Sequence, residues 1–336
     1  MADKWRATVL CGLGAWVPPR VVSNDELAQR YGTTSEWISS RTGIHARHWL
    51  DPGGSTSVLA VEAGRRAMKS AGVDTVDAVV LATGTTDRPV PATAPFVASR
   101  LDLSGTAAFD VNAACSGFVY ALAVCQGLIA AGTADTVLLI GADAMSAIIN
   151  PDDRVTGPIF GDGGAAMVLR SGHPDEPGRI GPVLLGSDGA NRDLITLRAG
   201  GSEQRLSGQE PAPADHYMTM NGLLVFRHAI VRMSEAAQAV MDRVGWQADQ
   251  VDQLVCHQAN VRIVAEVADR LHIPRQRCAS NIDRVANTVA ASIPMALAHA
   301  VGDGTLRAGH RVVIAAFGAG LTWGATALRW PDITPV

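Results

Sequence analysis

Three residues that can do chemistry stand where predicted strands end or predicted helices begin: Cys115, His257 and Asn287. Cys115 follows a short apolar run at 107–111 and precedes a long apolar helix pattern. The N–H groups at a helix N-terminus carry partial positive charge, which favours a thiolate over a thiol. We therefore expect Cys115 to be a nucleophile whose pKa lies below the ~8.5 of a free thiol. Small neighbours leave the sulfur open to a bulky substrate: Ala113, Ala114, Ser116 and Gly117.

Each of these residues also has a purely structural interpretation. A buried cysteine often only packs, a histidine at a strand end often makes one structural hydrogen bond, and an asparagine at a helix start is often an N-cap. Cys256 is a rival nucleophile because it adjoins His257, but in a regular strand its side chain faces the opposite way, so we interpret it as core. The remaining cysteines are interpreted as packing residues: Cys11, Cys125 and Cys278.

The composition is that of a globular protein with a large core. Of 336 residues, 47% are apolar and 18% are charged. This length allows two core-forming units or one large domain of duplicated halves. The net charge of −4 argues against a general nucleic-acid binder. Five cysteines, an odd number without close pairs, indicate neither a disulfide framework nor a zinc site.

No leader, membrane span, metal or redox cofactor is expected. The first fourteen residues lack the charged-then-apolar pattern of a signal peptide, and no run of about 18 uncharged apolar residues occurs. We expect a soluble protein of the reducing cytoplasm with no membrane partner. Asp152, Asp153 and Asp162 are not spaced like metal ligands, and GDGG at 161–164 is interpreted as a turn rather than a phosphate loop.

Apolar β-rich runs alternate with amphipathic helix patterns to the end of the chain, which predicts an α/β fold with a largely parallel, buried sheet. Strands are predicted at 8–17, 77–83, 107–111, 136–141, 165–170, 181–187, 253–257, 311–317 and 324–330. Helices are predicted at 57–71, 117–131, 221–244, 261–271 and 290–301. The stretch at 199–216 is polar and rich in Gly and Pro, so we expect a surface loop there.

The two halves of the chain resemble each other at one offset. VDAVVLATG at 76 and VDQLVCHQA at 251 lie 175 residues apart, as do NAACSGFVYALAV and NTVAASIPMALAH, and VLLI and VVIA. Three pairs at one offset indicate an internal duplication, with halves at 1–172 and 173–336. Cys115 and Asn287 then lie near the starts of equivalent helices, and a pseudo-twofold brings His257 towards them.

Six motifs carry a family resemblance: EWISSRTGI, AACSGFVYAL, FGDGGAAMVL, CHQANVRIV, IDRVANTVAASIPMAL and AAFGAGLTWG. With these motifs, the chain resembles β-ketoacyl-ACP synthase III, a condensing enzyme of the thiolase superfamily, over about residues 7–330. The resemblance implies a thiolase-like five-layered αβαβα fold from two duplicated halves. It also implies a homodimer whose substrates are acyl-CoA and malonyl-ACP, the second delivered by the acyl carrier protein.

The implied reaction is a decarboxylating Claisen condensation. Cys115 attacks the thioester of the starter acyl-CoA and becomes acylated. The resemblance places the oxyanion hole at the backbone N–H groups of Cys115 and Ala319. Malonyl-ACP then loses CO2, and the resulting enolate is stabilised by donors from His257, through Nε2–H, and from the amide of Asn287. Each donor contributes about 3 kcal/mol if oxyanion-hole magnitudes apply.

The resemblance also implies residues that bind the substrates and the carrier protein. Trp37 and Arg41 are implied at the adenine of CoA, with Arg154 at the other side of the ring or at a phosphate. The pantetheine arm is implied to lie along Met220, Gly222, Phe226 and Asn260. The carrier protein is implied to dock on Arg227, Arg262 and Arg270. Val90, where some members have Phe, is implied to reach the acyl pocket of the partner subunit and to admit longer or branched acyl groups.

This chain departs from the family pattern beside the catalytic candidates. The usual GNTSAAS has Ala286 in place of Gly and Val289 in place of Ser, and Ala319 replaces the middle Gly of FGGG. Ala286 loses the freedom of glycine if its φ is positive. Two further functions stay open: an acyltransferase that moves the acyl group from Cys115 to an alcohol or amine, and a non-catalytic partner subunit. A degradative thiolase is disfavoured because the terminal FGAGLTWG lacks a second cysteine.

Overall fold

The computed structural model describes residues 6–150 and 152–336. Residues 1–5, part of the segment without a leader pattern, lie outside the described residues. The strands are β1 (Ala7–Trp16), β2 (Val21–Ser23), β3 (Ala46–His48), β4 (Ala78–Ala82), β5 (Ala107–Val111), β6 (Thr136–Asp143), β7 (Gly163–Gly172), β8 (Leu184–Ser187), β9 (Ile195–Thr196), β10 (Thr219–Met220), β11 (Gln253–Cys256), β12 (Arg311–Gly318) and β13 (Thr322–Arg329).

The α-helices are α1 (Asn24–Tyr31), α2 (Ser35–Thr42), α3 (Thr56–Ala71), α4 (Ala94–Arg100), α5 (Gly117–Ala130), α6 (Ser202–Leu206), α7 (Gly222–Val244), α8 (Val261–Arg270), α9 (Ile282–Val285) and α10 (Ser292–Gly302). Short 3₁₀ helices span Ala114–Ser116, Met145–Ala147, Gly189–Leu194, Pro213–His216, Ala248–Gln250, Arg275–Arg277 and Val289–Ala291. The 199–216 stretch is exposed, as predicted, but it contains α6 and a 3₁₀ turn rather than loop alone.

Two larger sheets form the framework. The first has the strand order β1-β7-β6-β4-β5, and the second has the order β11-β12-β13-β8. The predicted largely parallel sheet is wrong, because among the described strands only β4 with β5, β4 with β6, and β11 with β12 pair in parallel. Three residues at 319–321 join β12 to β13, which is too short for a crossover and gives an antiparallel pair.

Alternation along each strand divides the core into layers. On β6, Val137 and Leu139 face α5 and α10, which lie between the two sheets, whereas Leu138 and Ile140 face α3 on the outer side. On β12, Ile314 faces the same middle layer, and Val313 faces α7 and α8. The αβαβα order of layers expected from the resemblance is confirmed.

The 175-residue repeat is visible in the element bounds. β6 and β12 begin and end 175 residues apart, and α5 and α10 begin at the same offset. The two short turns that precede these helices, Ala114–Ser116 and Val289–Ala291, also follow it. Each of the two turns therefore lies at the start of a central helix, where the candidate residues of the sequence are found.

Candidate active site

One cavity of about 250 Å³ is lined by Cys115, His257, Asn287 and Ala319. These residues come from four different elements or their ends, and they are up to 204 positions apart in the sequence. The rest of the lining is mainly apolar, with Met218, Met220, Met233 and Phe317 among it. The fold thus brings a thiol, an imidazole, an amide and a strand-end turn to one cavity.

The turn that carries Cys115 is held by local hydrogen bonds. The Asn112 side-chain oxygen accepts from the N–H of Ala114 at 3.2 Å, and Ala114 has a positive φ of 46°. The Ser116 hydroxyl donates to the carbonyl of Thr322 at 2.9 Å. The second bond ties the turn to β13 of the other half, so the position of Cys115 depends on both halves.

The expected low pKa of Cys115 is wrong. Burial raises the pKa of the Cys115 thiol to about 12, and the nearby carboxylate of Asp143 raises it further, while a backbone hydrogen bond lowers it. The partial charges of a short 3₁₀ turn do not offset the removal of a thiolate from water. Cys115 is therefore a thiol rather than a thiolate in this site.

Gly318, the last residue of β12, lies directly against the Cys115 turn. A Cβ atom at this position would lie 2.7 Å from the Cys115 nitrogen and 2.9 Å from the Ser116 nitrogen. We expect Gly318→Ala to displace the turn and slow acylation of Cys115 by at least about tenfold, because a shift of ~1 Å in a reacting group costs up to ~100-fold. Stopped-flow release of CoA from an acyl-CoA measures this rate.

Gly302 offers the matched control for that substitution. It ends α10, and a Cβ there meets nothing within 4 Å. Gly302→Ala should leave the acylation rate unchanged. Equal acylation rates in the two variants would contradict the close packing of β12 on the nucleophile turn.

His257 follows β11 and is 2% exposed. Its Nδ1 lies 2.7 Å from the Ser292 hydroxyl oxygen, which also accepts from the N–H of Gln258 at 3.4 Å. The Ser292 hydroxyl hydrogen is thus free to donate to Nδ1, which leaves the imidazole proton on Nε2. Burial lowers the pKa of His257 to about 3, so the imidazole is neutral. A neutral ring with its proton on Nε2 is a hydrogen-bond donor.

The lowered pKa of His257 makes stability depend on pH. As the pH falls from about 6.5, the unfolded chain binds a proton at this histidine before the folded chain does. The free energy of unfolding therefore decreases as the pH drops from about 6.5 to about 3. We expect His257→Gln to remove this loss, which urea unfolding of both proteins between pH 7 and pH 4 would detect. The exposed His173→Gln serves as the control and should match the wild type. Parallel curves for wild type and His257→Gln would contradict a neutral, buried imidazole.

Asn287 has its amide oxygen fixed and its amide nitrogen available. The Oδ1 atom accepts from the N–H of Val289 at 2.9 Å. Its backbone N–H donates to Ile159 and its carbonyl accepts from Gly161, both at 3.0 Å. Within 6–150 and 152–336, Nδ2 donates no hydrogen bond, although the residue lines the cavity. The amide N–H groups are therefore donors that a substrate oxygen can use.

Both residues that depart from the family pattern beside Asn287 have positive φ. Ala286 has φ 60° and ψ −156°, a region that glycine adopts easily and other residues rarely do. Val289 has φ 52°, which is unusual for a β-branched residue. Ala286 therefore has the positive φ at which glycine would be less strained. The backbone is strained on both sides of Asn287.

Two residues of the site were missed by sequence reasoning. Ser292 orients His257, and Asp143 is a fully buried carboxylate that lines the cavity. Burial raises the pKa of Asp143 to about 7 although four hydrogen bonds favour its charged form. The signal for Asp143 was present, since it is the only charged residue in the otherwise apolar strand TVLLIGAD.

Two segments of the chain match one known protein family. Residues 109–189 match the family 3-oxoacyl-[acyl-carrier-protein] synthase III, and residues 241–330 match the C-terminal part of the same family. The chain is 56% identical over 328 residues to β-ketoacyl-ACP synthase III 5 of Streptomyces coelicolor, covering 98% of each chain. The chain belongs to the β-ketoacyl-ACP synthase III family. This synthase III is therefore an acyltransferase of the condensing type that starts fatty-acid or polyketide chains.

Solved synthase III structures share its fold. The Pseudomonas aeruginosa 3-oxoacyl-ACP synthase III superposes with a TM-score of 0.92 at 50% identity, covering 98% of this chain and 100% of that one. The priming β-ketosynthase of the R1128 polyketide pathway gives a TM-score of 0.90 at 32% identity, covering 99% and 98%. The thiolase-like fold class is confirmed by these neighbours.

Of the residues proposed for CoA, Trp37 and Arg41 lie on α2, and Asn260 is the N-cap of α8. The Arg41 guanidinium stacks 4.3 Å from the Trp37 ring centroid. The Asn260 side chain donates to the carbonyl of Arg41 at 3.1 Å and caps α8 by accepting from the N–H of Arg262. Asn260 therefore joins the two helices. Arg154 is exposed.

Of the residues predicted to bind pantetheine, the carrier protein or the acyl group, some line the cavity and others lie on the exposed surface. Met220 lines the cavity, whereas Gly222 and Phe226, on the first turns of α7, are not part of its lining. The three arginines predicted to meet the carrier protein are exposed on α7 and α8: Arg227, Arg262 and Arg270. Val90 is 83% exposed.

Over the described residues, no cluster of His, Cys, Asp or Glu has the arrangement of a metal site. None of the described helices combines the length and apolar character needed to cross a membrane.

Proposed function

We propose that Cys115, His257 and Asn287 catalyse the condensation, with the backbone N–H groups of Cys115 and Ala319 as the oxyanion hole. The observation that supports this most strongly is their convergence on one mainly apolar cavity. Preorganised donors in such a space stabilise developing negative charge more than they do in water. The packing of the Cys115 turn on Gly318, the residue before Ala319, supports this pair of donors.

In the first step, the sulfur of Cys115 attacks the carbonyl carbon of the acyl-CoA thioester. The C–S bond to CoA breaks, and the proton of the thiol ends on the CoA sulfur. Because burial holds Cys115 as a thiol, proton loss accompanies bond formation rather than preceding it. The products are an acyl-enzyme and free CoA.

In the second step, malonyl-ACP loses CO2, and the electron pair of the broken C–C bond forms the enolate of the acetyl thioester. The Nε2–H of His257 and the amide of Asn287 donate to the enolate oxygen. The enolate carbon then attacks the acyl-enzyme, and Cys115 leaves as the free thiol with the proton supplied by solvent. Neither step changes the oxidation state of any enzyme group, so the chemistry needs no redox cofactor.

We propose acyl-CoA and an acyl carrier protein as the partners of this site. The stacked Trp37 and Arg41 form a flat cationic surface that suits an adenine base. The exposed arginines lie on α7 and α8, the helices that supply Val225 and Ile263 to the cavity lining, and on a protein of net negative charge they would attract an acidic carrier. Arg262 donates to the carbonyl of Ser40 at 2.9 Å, so its role also includes holding α8 against α2.

We also propose a homodimer built on β5. This strand forms one edge of the first sheet, and an edge strand presents backbone groups that pair readily with a second chain. Sedimentation equilibrium should give twice the monomer mass of 35.1 kDa.

We further propose that the two duplicated halves meet between residues 172 and 173, where β7 ends. We also propose a location in the reducing cytoplasm, which the five free cysteines support.

The deciding experiment is intact-protein mass spectrometry with a panel of acyl-CoAs, followed by a chase with malonyl-ACP. We expect a mass gain on Cys115 that the chase removes as a β-ketoacyl-ACP. A mass gain that only an alcohol or amine acceptor removes would favour the acyltransferase alternative. Absence of any mass gain would favour a non-catalytic subunit.

The same panel tests the role proposed for Val90. We expect the wild type to accept acyl groups longer or more branched than acetyl, and Val90→Phe to shift the ratio of kcat/KM towards acetyl-CoA by about tenfold or more, because added bulk excludes substrate methylenes. The exposed Val21→Phe is the matched control and should not change the ratio. A wild type that strongly prefers acetyl-CoA, or an unchanged ratio in Val90→Phe, would contradict this role.

A further inference from the structure

The duplication extends to the atoms of the two turns. Asn112 and Asn287 are 175 residues apart, and each accepts from the N–H two positions later, at 3.2 and 2.9 Å. Ala114 and Val289, also at this offset, both have positive φ, 46° and 52°. The counterpart of Cys115 is Ala290, whose N–H corresponds to the Cys115 N–H of the oxyanion hole.

Each of these turns contacts the end of a strand from the other half of the chain. Gly318, at the end of β12, lies against the Cys115 turn, and its counterpart Asp143, at the end of β6, lies against the Ala290 turn. Gly318 has no side chain, so the Cys115 N–H stays open to the cavity. Asp143 instead places its Oδ2 3.0 Å from the Ala290 nitrogen and accepts its N–H.

The second donor of the hole is duplicated in the same way. The counterpart of Ala319 is Ala144, whose N–H donates to the Thr85 hydroxyl oxygen at 2.8 Å. The Thr85 hydroxyl in turn donates to Oδ1 of Asp143 at 3.2 Å. Both N–H groups of this second hole are therefore occupied by side chains of the protein itself.

We propose that the Asp143 carboxyl group fills the duplicate oxyanion hole and thereby positions the Asn287 turn for decarboxylation. The inference rests on the proposed roles of Cys115 and Asn287. Asp143 is 0% exposed, and its Oδ1 is anchored by the N–H of Gly84 at 2.7 Å and by the Thr83 hydroxyl at 3.2 Å. The carboxyl group thus joins the loop after β4 to the turn that begins two residues after Asn287.

The strain around Asn287 explains why such an anchor is needed. Ala286 and Val289 both have positive φ, so the turn between them relaxes unless other contacts hold it. A charged acceptor on the Ala290 N–H makes a stronger hydrogen bond than a neutral one. Asp143 is a positioning residue, since it acts on the reaction through Asn287.

The first test replaces Asp143 with the residue that its counterpart has. In Asp143→Gly, we expect decarboxylation of malonyl-ACP by the acyl-enzyme to fall by roughly tenfold or more, as when a partner that orients a reacting group is lost. Sodium formate should restore much of this rate by occupying the emptied hole, whereas sodium chloride at the same ionic strength should not. Release of CO2 is the readout, and a loss that formate does not restore would overturn the proposal.

The second test keeps the shape and removes the charge. Asp143→Asn presents an amide N–H₂ or a neutral oxygen to Ala290, so decarboxylation should fall. Acylation of Cys115 should shift to lower pH, because the Asp143 charge raises the pKa of the thiol. His257, the other titratable group lining the cavity with Cys115 and Asp143, is neutral and unchanged. A general structural defect would slow both steps without the pH shift, and that result would also overturn the proposal.

Asp252 provides the matched control. It accepts from the N–H of Arg311 at 2.8 Å at the opposite end of the second sheet. Asp252→Asn should leave both half-reactions unchanged. If wild-type enzyme forms no acyl-enzyme or releases no CO2, the proposed function fails first. If the wild type performs both steps and Asp143→Asn does so at wild-type rates, only the present inference fails.

Discussion

Cys115→Ala is expected to abolish the mass gain from every acyl-CoA and to reduce condensation by at least about 10⁴-fold, since loss of a nucleophile removes the covalent route. The alanine keeps the turn, because the hydrogen bonds that hold it come from the Asn112 and Ser116 side chains. Removing the partly exposed thiol should not unfold the protein. Intact-protein mass spectrometry and near-UV circular dichroism together check both expectations.

Cys278 supplies the control for that result. It is partly buried against the cluster of α7 and α8, away from the cavity, and burial raises its pKa to about 11. Cys278→Ala should retain the full mass gain. A normal gain in Cys115→Ala, with loss in another cysteine variant, would move the nucleophile to that cysteine and contradict the assignment.

Asn287→Asp is expected to permit acylation and to slow malonyl decarboxylation by about 10³-fold or more. An aspartate retains the oxygen that accepts the Val289 N–H, so the turn keeps its local bond. It replaces the amide donor with a negative charge beside the enolate oxygen, which costs more than the ~10²- to 10³-fold loss of one oxyanion donor. Release of CO2 from malonyl-ACP, measured with pre-acylated enzyme, separates this step from acylation.

The neighbouring Thr288 serves as the control for Asn287. Its hydroxyl is buried and finds no hydrogen-bond partner in the described part of the chain, so Thr288→Val removes nothing that the site uses. This variant should perform both half-reactions at wild-type rates. Unchanged CO2 release in Asn287→Asp would remove Asn287 from the mechanism, whereas equal losses in both variants would indicate disturbance of the turn.

The two predictions address separate half-reactions, and the geometry explains why they separate. Cys115 and its proposed oxyanion hole depend on the contact between β12 and the turn of the first half. Asn287 depends on the contact between β6 and the turn of the second half. Each half therefore supports the catalytic turn of the other, so a half expressed alone would lack the strand end that shapes its own site.

The sequence by itself determined the order of the longer strands and helices, the duplication and the identity of the candidate residues, but not the short elements such as β2, β3 and α1. Strand β5 was predicted with its observed bounds, and the bounds of α5 and α8 were predicted to within one residue. These features follow from local pattern, since apolar periodicity and turn residues are properties of short segments. The motifs around Cys115 and His257 likewise carried the family resemblance.

Only the tertiary structure decided the electrostatics and the supporting contacts. The thiol pKa of Cys115 moved opposite to the expectation because burial and the charge of Asp143 come from residues distant in sequence. Ser292 was found beside His257, 35 positions away, and Gly222 and Phe226 were found outside the cavity lining. Desolvation and long-range hydrogen bonds depend on how elements pack, and a segment read alone does not contain that information.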